Sequence, residues 1–498
     1  MFPASDATTP FAIHLLDVGP KEYGDAVLCQ FGDVSVLIDG AHPGDQIGKE
    51  GHESIPDQIG RLLNQTQTPY RVTLLMVSHA HEDHIGCLPN LVANNLLEAD
   101  FAFVTDPLLG WGRIPDDSPD ASLDPRVRQV VAALREHVRT EGTDRDSLEE
   151  FLSDAANLED RYTKMVEKLA LNGTVVRHGR DNPKKLIDAL KAKGVTLKIL
   201  GPSGDFLALC ATRIRETMDD AIRTVSDALS GDDTVDAATL YRQLVGPDGR
   251  DAVSDAGRLG AAVNLQSTVV SFKFKGKKFL FAGDMQFQAP GVSGAQEFIN
   301  ALREKVKNEG PYAFVKLSHH GAANGFSEDI YQELNEEGQS RLFGICAGEQ
   351  STHHPNPSTL KVLRNHTSEI KWARTDHNRL SSFFFDLATP KIVVERGKLN
   401  DSKPNTDEPV FEPAPELVKP PESVALEKTG AGQSVVVANK GEVVEVNVRI
   451  PHASTKVTLT IDVEPRGGAA PPDQGEPPAS GAADVLPPLR IAGGRQLP

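Results

Sequence analysis

Apolar residues in the first eighty positions come in short runs. Phe11 to Val18, Ala26 to Phe31 and Ser35 to Ile38 are rich in Val, Ile and Leu, with Gly and Asp between them. That is the pattern of buried strands separated by turns. Ile55 to Leu63 reads as a helix leading into another apolar run, Val72 to Val77. A helical period then takes over from Arg126 to Leu171, through Val127, Val130, Val131, Leu134 and Val138, then Leu148, Phe151, Leu152 and Ala155, then Tyr162, Met165, Val166 and Leu169. A second helical stretch runs from Phe206 to about Leu244, with Ile214, Met218, Ala221, Ile222, Val225 and Leu229 on one face. Between them lie a strand at Thr174 to Val176, a helix at Lys184 to Lys193 and a strand at Val195 to Leu200. Strands resume at Ser267 to Phe274 and Lys278 to Ala282, joined by Lys275-Gly276-Lys277. A helix over Ala295 to Lys307 and a strand at Phe314 to Leu317 follow. Later elements are expected at Phe343 to Cys346, Ser358 to Asn365, Ile370 to Ala373, Phe383 to Leu387 and Lys391 to Val394.

Beyond Lys398 the composition changes. Asp401 to Ser423 is rich in Pro, Glu and Lys and reads as an extended linker. Short alternating runs at Ser434 to Val437, Val443 to Ile450 and Lys456 to Val463 suggest a small β module, with a hairpin turn at Asn439-Lys440-Gly441. Gly467 to Pro498 has no period and is expected to be disordered until a partner binds it. The implied organisation is a main domain over 1–398 with helical insertions at about 110–172 and 204–260. A linker over 399–425, a β module over 426–465 and a tail over 466–498 complete it.

The stretch Ser78-His79-Ala80-His81-Glu82-Asp83-His84-Ile85-Gly86 sits at the end of the Val72 to Val77 strand. Unpaired polar groups are costly there, and a metal ion would partner all of them at once. In an extended turn His79 and His81 point the same way, because side chains alternate with a period of two. Asp83 and His84 can aim at a second point close by. Neutral imidazole and carboxylate suit zinc, manganese or iron, and two such ions side by side form a hydrolytic clamp.

His-x-His-x-Asp-His after a strand resembles the signature of the metallo-β-lactamase fold. Val36-Leu37-Ile38-Asp39-Gly40 matches that family's earlier aspartate motif, and Phe279-Leu280-Phe281-Ala282-Gly283-Asp284 its later bridging carboxylate. Val315-Lys316-Leu317-Ser318-His319-His320-Gly321 fits its last histidine. Leu16-Asp17-Val18-Gly19 with Gly24-Asp25-Ala26, Asn264-Leu265-Gln266-Ser267, the His-His-Gly triplet and Ser351-Thr352-His353-His354-Pro355 are similar to the competence-protein (ComEC-type) subgroup. The resemblance implies an αββα sandwich and phosphoester hydrolysis, without selecting the substrate. It further implies that His79 and His81 hold one ion, that Asp83, His84 and one of His319 or His320 hold the other, and that Asp284 bridges them. Asp83 would also orient the attacking hydroxide, Asp39 would fix an imidazole from behind, and the histidine of the 319/320 pair that is off the metal would stabilise the transition state. His354 is the candidate for protonating the leaving group.

The chain departs from the pattern in places. Many relatives carry another metal-binding histidine between the His79 cluster and Asp284, whereas here the interval offers only His137 and His178, both read as structural or surface. Cys87 stands where relatives often have a second glycine, and reads as a buried filler.

Charge bounds the substrate. With 52 basic against 70 acidic residues the formal balance is −18, which argues against a DNA-coating protein. It does not exclude a nuclease, because bound cations invert the local field, and it makes nucleotides, short oligonucleotides or a neutral ester more plausible than long duplex DNA. Cys29, Cys87, Cys210 and Cys346 are widely separated, as in a reducing compartment. Met1 to Asp6 lacks the start of a signal peptide, and no run approaches the roughly 18 apolar residues of a membrane span. The expectation is a cytoplasmic phosphodiesterase or nuclease with two divalent ions, zinc or manganese, iron being compatible. Two other readings stay open. One is a hydrolase of another ester, thioester, lactone, β-lactam or phosphorylcholine ester. The other is a partner-regulated component of a defence-type assembly, docked through the helical insertions or the C-terminal region.

Overall fold

The computed structural model describes residues 11–20, 24–48, 51–113, 145–216, 255–335, 341–387, 389–405, 428–429, 432–439 and 442–448. The chain divides into two units, Met1–Val410 and Phe411–Pro498.

The first unit is α/β, with two mixed sheets. Strands β1 (Phe11–Leu15), β2 (Val27–Phe31), β3 (Val34–Ile38), β4 (Tyr70–Val77), β5 (Leu97–Thr105) and β6 (Thr174–His178) lie side by side in chain order. The β1–β2–β3 pairings are antiparallel and the β3–β4–β5–β6 pairings parallel. The second sheet repeats that sequence with β7 (Thr196–Gly201), β8 (Val269–Phe274), β9 (Lys277–Phe281), β10 (Phe314–Lys316), β11 (Leu342–Ile345) and β12 (Lys371–Arg374). There β7–β8–β9 are antiparallel and β9 to β12 parallel. The chain then returns to the first sheet, where β13 (Ser381–Phe384) pairs with β1 and β14 (Lys391–Val394) closes the edge.

Alternation along the strands explains the layering. Phe11, Ile13, Leu15, Phe31 and Val36 share one core with Phe272, Phe274, Phe279 and Phe314 of the other sheet. Ring centroids of Phe11 and Phe274 lie 4.9 Å apart, and those of Phe314 and Phe383 4.8 Å. Each fully buried Phe contributes about 1.5–3 kcal/mol of transfer free energy. The opposite strand faces, Leu28, Leu37, Leu75, Val315 and Phe343, pack on helices. Ile55 and Ile59 of the Ile55–Leu62 helix belong to this second core, as do Ile299, Leu302 and Val306 of the Gln296–Glu309 helix. Ser54 caps the first of these helices by accepting from Asp57 N, and Pro56 occupies a position where its missing N–H costs nothing.

Several expectations change. β5 has no counterpart in the apolar runs, because Glu98 and Asp100 interrupt it. The first part of the expected linker is bound to the body. Arg374 Nη1 donates to the Asp401 and Lys403 carbonyls at 3.2 and 2.9 Å, and Asn405 Nδ2 donates to Asp376 Oδ2 at 2.7 Å. The Arg145–Asn172 helix lies in the first insertion, and a helix over 204–216 begins the second. His137, residues 217–254, Lys456 to Val463 and the tail lie outside the described residues.

The second unit holds a three-stranded antiparallel sheet, Lys428–Thr429, Gly432–Asn439 and Glu442–Val448. Asn439 pairs with Glu442. Its third described strand precedes the hairpin, where the sequence suggests one after it. Among the described residues no helix is long and apolar enough to cross a membrane.

Candidate metal centre

Parallel strands leave their carboxyl ends on one edge, and the histidines and aspartates singled out in the sequence gather there. After β4 the chain enters Ser78 and His79, then a short helix, Glu82–Ile85, with His81 as its N-cap. This loop lies on the loop after β3 through Gly40 N to His84 O (2.7 Å) and Cys87 N to Gly40 O (3.0 Å). Gly86, at φ +47°, permits that approach, since a Cβ there would stand 2.0 Å from the Ala41 carbonyl oxygen. Cys87 itself is fully buried.

Asp39 is spent on this loop. Its Oδ1 accepts from Ser78 N at 2.7 Å, and its Oδ2 from Ser78 Oγ at 2.7 Å and His84 Nδ1 at 2.9 Å. An imidazole that donates from Nδ1 presents a lone pair at Nε2. His84 Nε2 lies 3.3 Å from Asp284 Oδ2 and 3.4 Å from Asp83 Oδ2, without hydrogen-bond geometry to either.

The second sheet supplies the opposite side. Asp284 follows β9, and its N–H donates to Ser267 Oγ at 2.9 Å. His319 and His320 follow β10, both in the left-handed region at φ +52° and +48°. They leave the chain in different directions. His320 Nδ1 lies 3.1 Å from the Cys346 carbonyl, and its Nε2 is 3.0 Å from Asp83 Oδ2 and 3.1 Å from Asp284 Oδ2. His319 Nδ1 meets Asn324 Oδ1 at 2.8 Å and its Nε2 meets Asn264 Nδ2 at 3.3 Å, while Asp284 Oδ2 is 4.0 Å away. Of the pair, His320 therefore joins the cluster, and two carboxamides hold His319 beside it.

His79 and His81 form a separate pair. His79 Nε2 is 3.1 Å from His81 Nδ1, and Ser78 Oγ is 3.0 Å from His79 Nδ1. The His79 ring centroid is 4.1 Å from that of His84. His354 lies beyond, its ring centroid 5.4 Å from His319 and 5.8 Å from His320.

Asp25, Lys316 and Asn324 had no assigned role in the sequence. Asn324 holds His319, as above. Lys316, although 2 % exposed, is paired with Asp25 Oδ2. Asp25 Oδ1 in turn lies 3.2 Å from His320 Nδ1. The Gly24-Asp25-Ala26 triplet was the available signal for Asp25. Its companion Asp17 points elsewhere, with Oδ2 2.8 Å from His52 Nδ1. His178 is also apart, with Nδ1 3.0 Å from Thr268 Oγ1 and its ring against Phe103.

Electrostatics divides the histidines. Burial opposes charge on His84, yet the carboxylates of Asp284, Asp83 and Asp39 prevail and hold its pKa well above the ordinary value. His320 behaves likewise, burial being outweighed by Asp284 and Asp25. Asp83 and Asp284 are held well below the usual range, because the histidines overcome burial. His79 is pushed well down by burial and the adjacent imidazoles, and burial lowers His81 to about 4. No family model and no curated protein matches the chain.

The donor set fits a metal ion. Asp25, His84, Asp284 and His320 can each bring one ligand atom within 4.8 Å of the others, all four buried. The carboxylates call for positive charge among them, which protons on His84 and His320 supply in the metal-free chain. A divalent cation meets that requirement.

Proposed function

We propose that the chain is a metal-dependent hydrolase of phosphoesters, a phosphodiesterase or nuclease on a metallo-β-lactamase-type sandwich, with a dinuclear zinc or manganese centre. The observation that carries this reading is the convergence of His84 Nε2 and His320 Nε2 on Asp83 and Asp284, each ring fixed from its far side by Asp39 or the Cys346 carbonyl. In the proposed assignment His79 and His81 would hold one ion and His84, Asp83 and His320 the other, with Asp284 shared between them. When bound, two such ions supply Lewis acidity and a water that ionises near neutral pH.

The chain's own residues then orient the reaction. Asp39 keeps the His84 ring in one tautomer, and Asp83 would orient the attacking hydroxide. His319, held by Asn264 and Asn324, lines the substrate side. Burial keeps the His354 pKa well below its ordinary value, so its ring is neutral at pH 7. It acts as a leaving-group acid only once an anionic substrate raises that pKa. Preference for phosphoesters rests on the motif resemblance, and the balance of −18 favours short or uncharged-flank substrates over long duplexes.

The test combines metal content with hydrolysis of bis(p-nitrophenyl) phosphate, single-stranded DNA and duplex DNA, for wild type and Asp284→Ala, with zinc or manganese added. Nearly two ions per chain and cleavage lost in the variant are expected. Two ions without phosphodiester cleavage would shift the reading to another ester, and no bound metal after reconstitution would end the hydrolase reading.

A further inference from the structure

Lys316 presents a question that the metal centre alone does not answer. It belongs to a strand buried along its whole length, four residues before His320. An ammonium withdrawn from water costs several kcal/mol unless it is paired. Its partner is Asp25 Oδ2, an oxygen that could otherwise reach for a metal.

The position of Asp25 around the two rings is informative. Its Oδ1 is 3.2 Å from His320 Nδ1, a nitrogen it shares with the Cys346 carbonyl at 3.1 Å, and its Oδ2 is 3.8 Å from His84 Nδ1. Both contacts are to the nitrogens on the rings' rear edges. The Nε2 atoms, at the front, face Asp83 and Asp284 instead. The backbone of Asp25 is pinned on both sides, its N–H donating to the Asp83 carbonyl at 3.1 Å and its carbonyl accepting from Ala41 N at 2.8 Å. Turning its carboxylate to the front edge would take it from Lys316, which is what holds it at the rear.

We propose, on the metal-centre reading above, that Lys316 and Asp25 form a charge-neutral pair that orients His320 from behind, with Asp25 a positioning residue and not a metal ligand. His84 obtains the same service from Asp39, whose charge is met by Ser78 N–H and O–H instead of a cation. At the front edges of the rings the centre thus carries carboxylates from Asp83 and Asp284 only, with Asp39 and Asp25 behind. Lys316 keeps the third carboxylate from adding to it.

Cobalt(II) is the probe, since its visible absorption reports coordination number and ligand type independently of turnover. Full-length wild type, Asp25→Asn, Lys316→Met and the double variant D25N/K316M are titrated with cobalt against a chelator, alongside thermal midpoints of the metal-free chains. The double variant should keep the wild-type stoichiometry and band positions and bind within about tenfold, whereas Asp25→Asn alone loses about 10–100-fold, as is typical for outer partners of metal ligands. Lys316→Met alone should weaken and broaden the bands, as the released Asp25 carboxylate is drawn onto the metal. If Lys316→Met does not fold, the double variant carries the comparison. Loss of one cobalt, or wild-type bands displaced in the double variant as for a missing oxygen ligand, would make Asp25 a ligand and overturn the proposal. Unchanged bands and affinity in Lys316→Met would overturn it as well. A wild type that binds no cobalt would bring down the metal reading and this proposal with it, a result distinct from the other two.

Discussion

Strands β1–β6 and β7–β12 trace the same path, three antiparallel neighbours followed by three parallel ones. Each half places an aspartate after its third strand, Asp39 in one and Asp284 in the other. Each places histidines after its fourth. The two aspartates nevertheless do opposite things. Asp39 is saturated by two N–H groups and a hydroxyl. Asp284 Oδ1 has no hydrogen-bond partner among the described residues, and Oδ2 faces ring nitrogens. One topological position yields a structural tie in the first half and an open acceptor in the second. What separates them is the local supply of donors: Ser78 beside Asp39, and imidazole Nε2 atoms beside Asp284.

Exchanging the demands on these aspartates gives the largest expected effect. On the proposed assignment, Asp284→Ala should lower phosphodiester hydrolysis by at least about 10³-fold with loss of bound metal, because it would remove a group in contact with the ion. Asp39→Asn should retain metal but bind it about 10–100-fold more weakly. It should also lose about 2 kcal/mol of stability in denaturant titration, as a buried charged acceptor is replaced. Equal metal loss in both variants would abolish the distinction.

A second test uses acid. In the metal-free chain His81 has its pKa lowered by burial to about 4, so the fold favours the neutral ring. Such a group contributes stability that is complete above its unfolded pKa near 6.5 and lost as pH falls toward 4. His84 and His320, with raised values, have the opposite sign and lose their contribution as pH rises through those values. With chelator present, His81→Gln should therefore flatten the decline of the thermal midpoint between pH 6.5 and 4, by about 2 kcal/mol for this partly exposed ring. A parallel decline in wild type and variant would contradict the division of the histidines.

The smallest effect belongs to His178. It stands at the end of β6, level with the site-bearing ends, but is committed to Thr268 and Phe103. His178→Gln should lower the thermal midpoint by a few degrees, about 1 kcal/mol, and leave metal stoichiometry as in wild type. A lost ion would place a ligand in the first half that the geometry does not.

Much of the His and Asp cluster was legible because it lay in contiguous motifs. The His79–His84 stretch, Asp39 and Asp284 could be named from runs of apolar residues ending in polar ones. The choice between His319 and His320 could not, since it depends on two successive left-handed residues sending the rings apart. Asp25 and Lys316 are 291 residues apart, and no local pattern links them. β5 escaped notice because Asp100, unusual in a strand, is tied to Arg71 across the β4–β5 pairing, Nη2 to Oδ1 2.6 Å. The retained Asp401–Asn405 segment was hidden by a composition that reads as linker, while its anchors, Arg374 and Asp376, lie in another part of the chain.

Gly283 carries a consequence for how such a protein can change over time. A Cβ there would meet Ser78 Cβ at 2.9 Å and Ser267 Oγ at 3.0 Å, at φ +50°. The halves touch through that missing methyl group. Any side chain at 283 would wedge Asp284 away from the histidines after β4, so inherited variation at this site has almost no room. New side chains must come from loops that do not cross the seam, which confines diversification to the surroundings of the Asp and His cluster and leaves its donor atoms in place.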